Sequence, residues 1–171
     1  GKIGRIESDV LYTCLMERFE YGNMNGAEVY LDETNLRLVM NIRNNFSRLA
    51  DKLILEGDSA AAIKVLDKCL ELMPNEKVEY NFFVLPMIEN YYECKEKEKA
   101  RGIIATITET LEEKLNYYNQ FDQKKDIKNE TQRSLSMYNS IVKIAYAHDD
   151  VDYADVLANS FQENISNAEL N

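Results

Sequence analysis

The stretch from Arg43 to Pro74, RNNFSRLADKLILEGDSAAAIKVLDKCLELMP, limits the fold more than any other part of the chain. Phe46, Leu49, Ala50 and Leu53 recur at helical spacing and share one helix face, and Ala62, Leu66 and Cys69 share a face of a second helix. Between them Glu56-Gly57-Asp58 reads as a tight turn, since glycine has the backbone freedom such a turn needs. Pro74 stops the second helix, because it has no N–H to donate. Two helices joined this way cannot bury both of their apolar faces alone, so the flanking segments are expected to stack on them.

Those flanks read as helices too. Ser8 is a plausible N-cap for a helix to about Glu20, with Leu11, Cys14, Leu15 and Phe19 on one face. Tyr21-Gly22-Asn23 ends it, and Asn23 to Leu31 reads as a loop. Asp32 or Thr34 then caps a long helix to Glu56, striped by Val39, Ile42, Phe46, Leu49 and Leu53. After Pro74, residues 75–83 form a connector, and Pro86 must lie in the first turn of a helix that starts near Phe82–Leu85. Residues 93–99 form the next turn, where Lys95 takes the place of Gly57 and the turn signal is lost. A helix from Lys97 to near Phe121 follows, and DQKKDIKN (122–129) reads as a charged, mobile link. Glu130–His148 is the next helix, and Asp149 or Asp150 caps the last one, with Ala154, Leu157, Ala158, Phe161 and Ile165 apolar and a frayed end from Asn167.

The order of residue types in Arg43–Pro74 (large, Leu, small, large, Gly, Ala, large, small, Pro) resembles the tetratricopeptide pattern. Ala100 follows Ala62 by 38 positions, against a standard period of about 34, and Ala154 marks a third, weaker unit. The expected fold is all-α: one domain over residues 1–171, a tetratricopeptide-like stack of about three antiparallel helical hairpins plus an N-terminal helix. Residues 1–31 are the N-terminal helix and loop, 32–74 the first hairpin, 75–121 the second and 122–171 a degenerate third. A four-helix bundle is the alternative, since worn repeats resemble plain amphipathic helices.

Composition excludes several function classes. A net charge of −10 disfavours nucleic acid and anionic membrane surfaces as partners. No apolar run approaches the roughly 20 residues of a membrane helix, so direct membrane insertion by this segment is not expected. The chain opens Gly-Lys-Ile rather than with Met, so it reads as a piece of a longer parent. Cys14, Cys69 and Cys94 read as small buried hydrophobes, with a Cys69–Cys94 bridge as an alternative that spacing does not decide. The single His148 sits at a helix end, and the Asp149, Asp150, Asp152, Asp155 run lacks the glycine and bidentate Glu of a calcium loop. With no phosphate loop, nucleophile elbow or carboxylate pair, no catalytic residue, metal site or cofactor is assigned.

Binding is the better-supported role. In a tetratricopeptide stack the inner-helix positions that line the concave groove fall here on Asn44, Ser47, Asp51 and Ile54. In the second hairpin they fall on Phe82, Leu85, Glu89 and Tyr92, and in the third on Ser136, Asn139, Lys143 and Tyr146. Asp51 and Glu89 would repel an acidic peptide terminus, so an aromatic, mildly acidic groove around Phe82, Tyr92 and Tyr146 would take an extended or helical partner segment. The same rings read equally well as internal packing. Most of the tyrosines read as edge-of-core residues, and Arg37, Arg43 and Arg48 as braces for acidic neighbours such as Asp32-Glu33.

One further likeness rests on Tyr21-Gly22-Asn23, Val29-Tyr30-Leu31-Asp32-Glu33, Arg37, Asn41 to Phe46, Arg48-Leu49-Ala50, Asp67 to Leu70, Leu85-Pro86 and Tyr91-Tyr92. Over roughly Tyr21–Ala100 this block resembles the soluble C-terminal region of polytopic Bacteroidetes membrane proteins of unknown function, similar to protein O-mannosyltransferase-like glycosyltransferases. The resemblance implies a helical-repeat appendage on the periplasmic face of the inner membrane, with catalysis confined to the membrane part of the parent. Its partners would be an acceptor protein or the parent membrane domain, and a cytoplasmic scaffold is the alternative. Asp58-Ser59-Ala60 resembles a short O-glycosylation acceptor motif of these bacteria, and Ser59 is equally a helix-start residue. The expected function is thus a non-catalytic interaction or scaffold domain. The alternatives are a structural domain that packs on or dimerises its parent, and a small-ligand or glycan-binding module.

Overall fold

The computed structural model describes residues 5–26, 28–120 and 125–169, and it is all-helical: the described residues contain seven α-helices and no strands. These are α1 (Ser8–Tyr12), α2 (Glu33–Leu55), α3 (Ser59–Leu72), α4 (Leu85–Glu93), α5 (Lys97–Tyr118), α6 (Lys125–Ala147) and α7 (Val151–Glu169). The chain divides into two compact units, Gly1–Ala100 and Arg101–Asn171, and the division falls within α5. No helix among the described residues is long and apolar enough to cross a membrane.

The first unit is built on α2, which packs against α1, α3 and α4, while α3 also packs against α4. The stripe that defined α2 in the sequence is its buried face: Phe46, Leu49 and Ala50 are fully buried, with Val39 and Leu53 nearly so. Asp32 starts the helix by accepting the Asn35 N–H at 2.8 Å, which satisfies one of the free amides of the first turn. α1 already includes Ser8, so the cap position falls on Glu7, which makes no side-chain capping bond, and the chain then winds more loosely over Thr13–Arg18 as a π-helical turn closed by Phe19 N–H to the Cys14 carbonyl (2.9 Å). Its end is tied to the hairpin by Lys68, whose ammonium donates to the Met16 carbonyl (2.8 Å), and by Tyr21, which donates to Leu15 (2.7 Å) and lies beside Phe46. Across the unit, Asp67 accepts from both Tyr91 (2.8 Å) and Lys99 (2.7 Å), joining α3, α4 and the first turn of α5.

Three helix ends share one backbone geometry. Gly57 (φ +87°) follows α2, with Asp58 N–H bonded to Leu53 O and Gly57 N–H to Ile54 O. Lys95 (φ +65°) follows α4, with Glu96 N–H bonded to Tyr91 O and Lys95 N–H to Tyr92 O. Asp149 (φ +56°) follows α6, with Asp150 N–H bonded to Ala145 O and Asp149 N–H to Tyr146 O. This paired 6→1 and 5→2 bonding is the Schellman ending, which uses carbonyls the helix would otherwise leave unpaired. Five residues after each positive-φ residue comes an alanine, Ala62, Ala100 and Ala154, all fully buried. The turn at Lys95 has lost its glycine but not its conformation.

In the second unit α6 and α7 pack together. Glu112 of α5 accepts from Tyr138 of α6 (3.0 Å) and Ser160 of α7 (2.6 Å), and the Tyr138 and Phe161 rings stack at 5.2 Å between centroids. Arg101 of α5 grips the Asp150 carboxylate with two bonds (2.9 and 2.6 Å), and that carboxylate is wholly buried. The charged segment expected as a loop is helical from Lys125, because Asp126 favours the N-terminal dipole and Thr131 bonds back to Ile127; residues 122–124 lie outside the described residues.

Candidate functional site

The groove residues assigned from the sequence separate by burial. In the first unit Phe82 and Glu89 are exposed, and Asn44 and Asp51 are half-buried. Ser47 and Tyr92, by contrast, are 3 % and 5 % exposed. The reason is the closeness of α2 to α4: buried Asn90 donates its side-chain amide to the Ser47 carbonyl at 3.1 Å, so no space remains there for a partner. Ser47 and Tyr92 therefore belong to the core, and the face that stays open is carried by Asn44, Asp51, Phe82 and Glu89. At one end of this face Phe82 and Phe83 are 47 % and 42 % exposed, just after Asn81, whose amide reaches the Met40 sulfur (3.0 Å).

In the second unit Asn139, Lys143 and Tyr146 follow one another at helical spacing on α6, half-buried, exposed and exposed. Tyr146 donates its hydroxyl to Asp155 of α7 (2.6 Å), and that bond holds the phenol pKa above its ordinary value. Its ring thus lies on the surface of the α6–α7 hairpin, tethered at its polar tip.

Two clefts, neither legible in the sequence, open on the first unit. One, of about 380 Å³, lies between Arg5–Glu7 and the α2 face from Arg48 to Glu56, and Asp51 is the one groove residue that lines it. Its charges are largely matched: Lys52 pairs with Glu56 (2.8 Å) and Arg5 with Glu7 (2.7 Å). Hydrogen bonds from Lys52 and Ser8 hold the Glu56 carboxyl below its ordinary pKa. The second, about 520 Å³ and wide open, is lined by Phe19, Tyr21, Met24 and Ile42 between Arg18 and Glu20.

The arginines divide in role. Arg37 pairs with Glu33 one turn away (2.9 Å), as a surface brace. Arg43 does something the sequence did not signal. Fully buried, it donates to the carbonyls of Met73 (3.0 Å), Val78 (2.7 Å) and Glu79 (3.2 Å), under the Tyr80 ring at 5.2 Å. It braces backbone, and its pKa is lowered by burial. Met73 closes α3, so the guanidinium sits where the helix dipole is negative. Its Nε has no partner.

Cysteine chemistry is muted. All three cysteines are free; Cys69 faces the Met87 sulfur at 3.9 Å and Cys94 the Ser59 carbonyl at 3.9 Å, so the alternative Cys69–Cys94 bridge is not formed. Burial pushes the Cys69 thiol up to about 12, against a smaller opposing pull from Arg43, which leaves it inert as a nucleophile near neutrality. Among the described residues no cluster of His, Cys, Asp and Glu has the arrangement of a metal site. No known family model, no curated protein and no solved structure matches the chain.

Proposed function

We propose that this chain is a non-catalytic, tetratricopeptide-like interaction domain, in which the α2–α4 face of the first unit receives a segment of a protein partner. The observation that carries the reading is the recurrence of one turn: the same Schellman ending at Gly57, Lys95 and Asp149, each followed at the same offset by a buried alanine. Recurrence of geometry where the sequence has drifted is what a repeat stack leaves behind. The order in which α2, α3 and α4 pack, with α2 touching both its hairpin partner and the first helix of the next hairpin, supports the same reading. In such stacks the side chains of first helices line the binding face, here Asn44, Asp51, Phe82 and Glu89. Two aromatic rings at one end and carboxylates along the middle suit a partner segment with an apolar anchor and no excess of negative charge.

The resemblance of Tyr21–Ala100 to the soluble region of Bacteroidetes membrane proteins of the O-mannosyltransferase-like kind supplies the setting we propose: a periplasmic appendage of a larger membrane protein. The partner would then be an acceptor protein or the parent's own membrane domain. Site-specific photocrosslinkers at Phe82 and at Asp51, in the full parent protein in its native membrane, test this. Crosslinks to one defined protein or to the parent's membrane region from these two sites, absent from a site at exposed Lys64 of α3, are expected. Equal labelling from all three sites, or none from any, would overturn the proposal.

A further inference from the structure

Asn25-Gly26 is the only Asn-Gly pair in the chain, and it lies in the loop that joins α1 to α2. Asn25 is exposed, yet its side-chain amide is the donor that ties this loop to the C-terminal turn of α3, bonding the Glu71 carbonyl at 3.3 Å. That bond is long, so the amide swings free at little cost. Gly26 has no Cβ to shield its nitrogen, and the tight approach there (a Cβ would meet the Asn23 carbonyl at 3.0 Å) leaves room for little but glycine. We propose that Asn25-Gly26 is a spontaneous modification site whose conversion releases the loop from α3, independently of what the α2–α4 face binds.

The chemistry is closed on its own atoms and water. The Gly26 amide gives its proton to hydroxide, and its nitrogen attacks Cγ of Asn25. The N–Cγ bond forms, the Cγ–Nδ2 bond breaks, and ammonia leaves with a proton returned from water. Water then opens the cyclic imide to aspartate or isoaspartate, with no change of oxidation state. In the folded chain the Gly26 N–H donates to Asn23 at 2.7 Å, so the attack proceeds through local opening of that turn. The product has an anionic oxygen where the amide donor stood, against a carbonyl at the negative end of α3, so the tie becomes a repulsion. Lys77, which donates to the Val29 carbonyl at 3.2 Å, continues to hold the far end of the loop. The released segment is therefore short and centred on residues 22–26.

Incubation of the folded chain in mildly alkaline buffer, followed by peptide mapping, reads the conversion. Asn25 is expected to convert several-fold faster than Asn139 and Asn159, each followed by serine within a helix, and faster still in urea. Hydrogen exchange on Asn25→Asp, which mimics the product charge, is expected to show several-fold faster exchange in residues 22–26 and no change in α2. Asn25→Gln, which loses the favourable ring size for cyclisation, is expected to abolish the conversion. Conversion no faster than at Asn139 and Asn159, or unchanged loop exchange in Asn25→Asp, would overturn the proposal.

Discussion

Arg43 shows how one buried charge can be stable without a carboxylate. Its guanidinium lies against three carbonyls, an aromatic face and the end of a helix dipole, which together replace much of the water it gave up. Arg43→Met removes the buried charge, which helps, but leaves the buried Met73 and Val78 acceptors unpaired. Unpaired buried groups cost about 1–3 kcal/mol each, so a net loss of roughly 2–4 kcal/mol is expected, with faster exchange in residues 74–80. Urea unfolding checks it; an unchanged midpoint would mean the carbonyls find water. Gly57 and Lys95 make the opposite pair of experiments. Both hold positive φ, where an L side chain costs about 1 kcal/mol or more. Gly57→Ala, with open space around its Cβ, is therefore expected to lose about 1 kcal/mol through backbone strain alone. Lys95→Gly is expected to gain about 0.5–1 kcal/mol, because relief of strain exceeds the added freedom of the unfolded chain. A thermal melt in which the two substitutions shift the midpoint in the same direction would refute the shared geometry as the cause.

At the scale of elements, what the sequence told and what it hid have separate causes. α2 and α3 were legible almost to the residue, since apolar stripe, cap, turn and stop all agree: Asp32, Gly57 and Pro74. The start of α6 was not, because residues 125–129 carry one apolar side chain, Ile127, among four polar ones, too few to show a stripe. Nor was the depth of Ser47 and Tyr92. Register along each helix picks out groove positions but says nothing of how closely two helices approach. The Arg101–Asp150 pair, 49 residues apart in the sequence, was likewise invisible to local spacing. It gives this scale its prediction. Arg101→Ala leaves a buried carboxylate without its bidentate partner and is expected to cost about 3–5 kcal/mol. The double variant with Asp150→Ala is expected to cost clearly less than the sum of the two single changes, as a double-mutant cycle by urea unfolding measures. Additive losses would show that the two groups are stabilised separately.

Over the whole molecule, tyrosine hydroxyls and thiols held protonated set the response to alkali. Burial pushes Cys69 from 9.0 to about 12, and Tyr21 and Tyr138 from 10.0 to about 12; Tyr80, Tyr91 and Tyr153 are raised as well, also chiefly by burial. In Tyr138 the bond to Glu112 adds to the rise, since a neutral phenol is the better donor to a carboxylate, while Ser160 opposes it. In each case the unfolded chain gives up its proton at a lower pH than the folded one. The folded state therefore binds more protons across this window, and stability must fall as pH rises. The contribution is complete below about pH 9 and is lost progressively between the ordinary values and about 12. Such groups occur in both units, Tyr21 and Cys69 in the first and Tyr138 in the second, so both are expected to weaken together. Urea unfolding as a function of pH, followed alongside the ultraviolet absorbance of tyrosinate, tests this directly. The midpoint is expected to hold steady to about pH 9 and then decline, and the tyrosinate signal that Tyr138→Phe removes is expected to appear only as structure is lost. Tyr138→Phe should flatten part of that decline, because a ring without a hydroxyl has no proton to release on unfolding. A midpoint independent of pH across the window, or a Tyr138 signal that titrates at the ordinary value in the folded chain, would mean that this hydroxyl meets water in the native state.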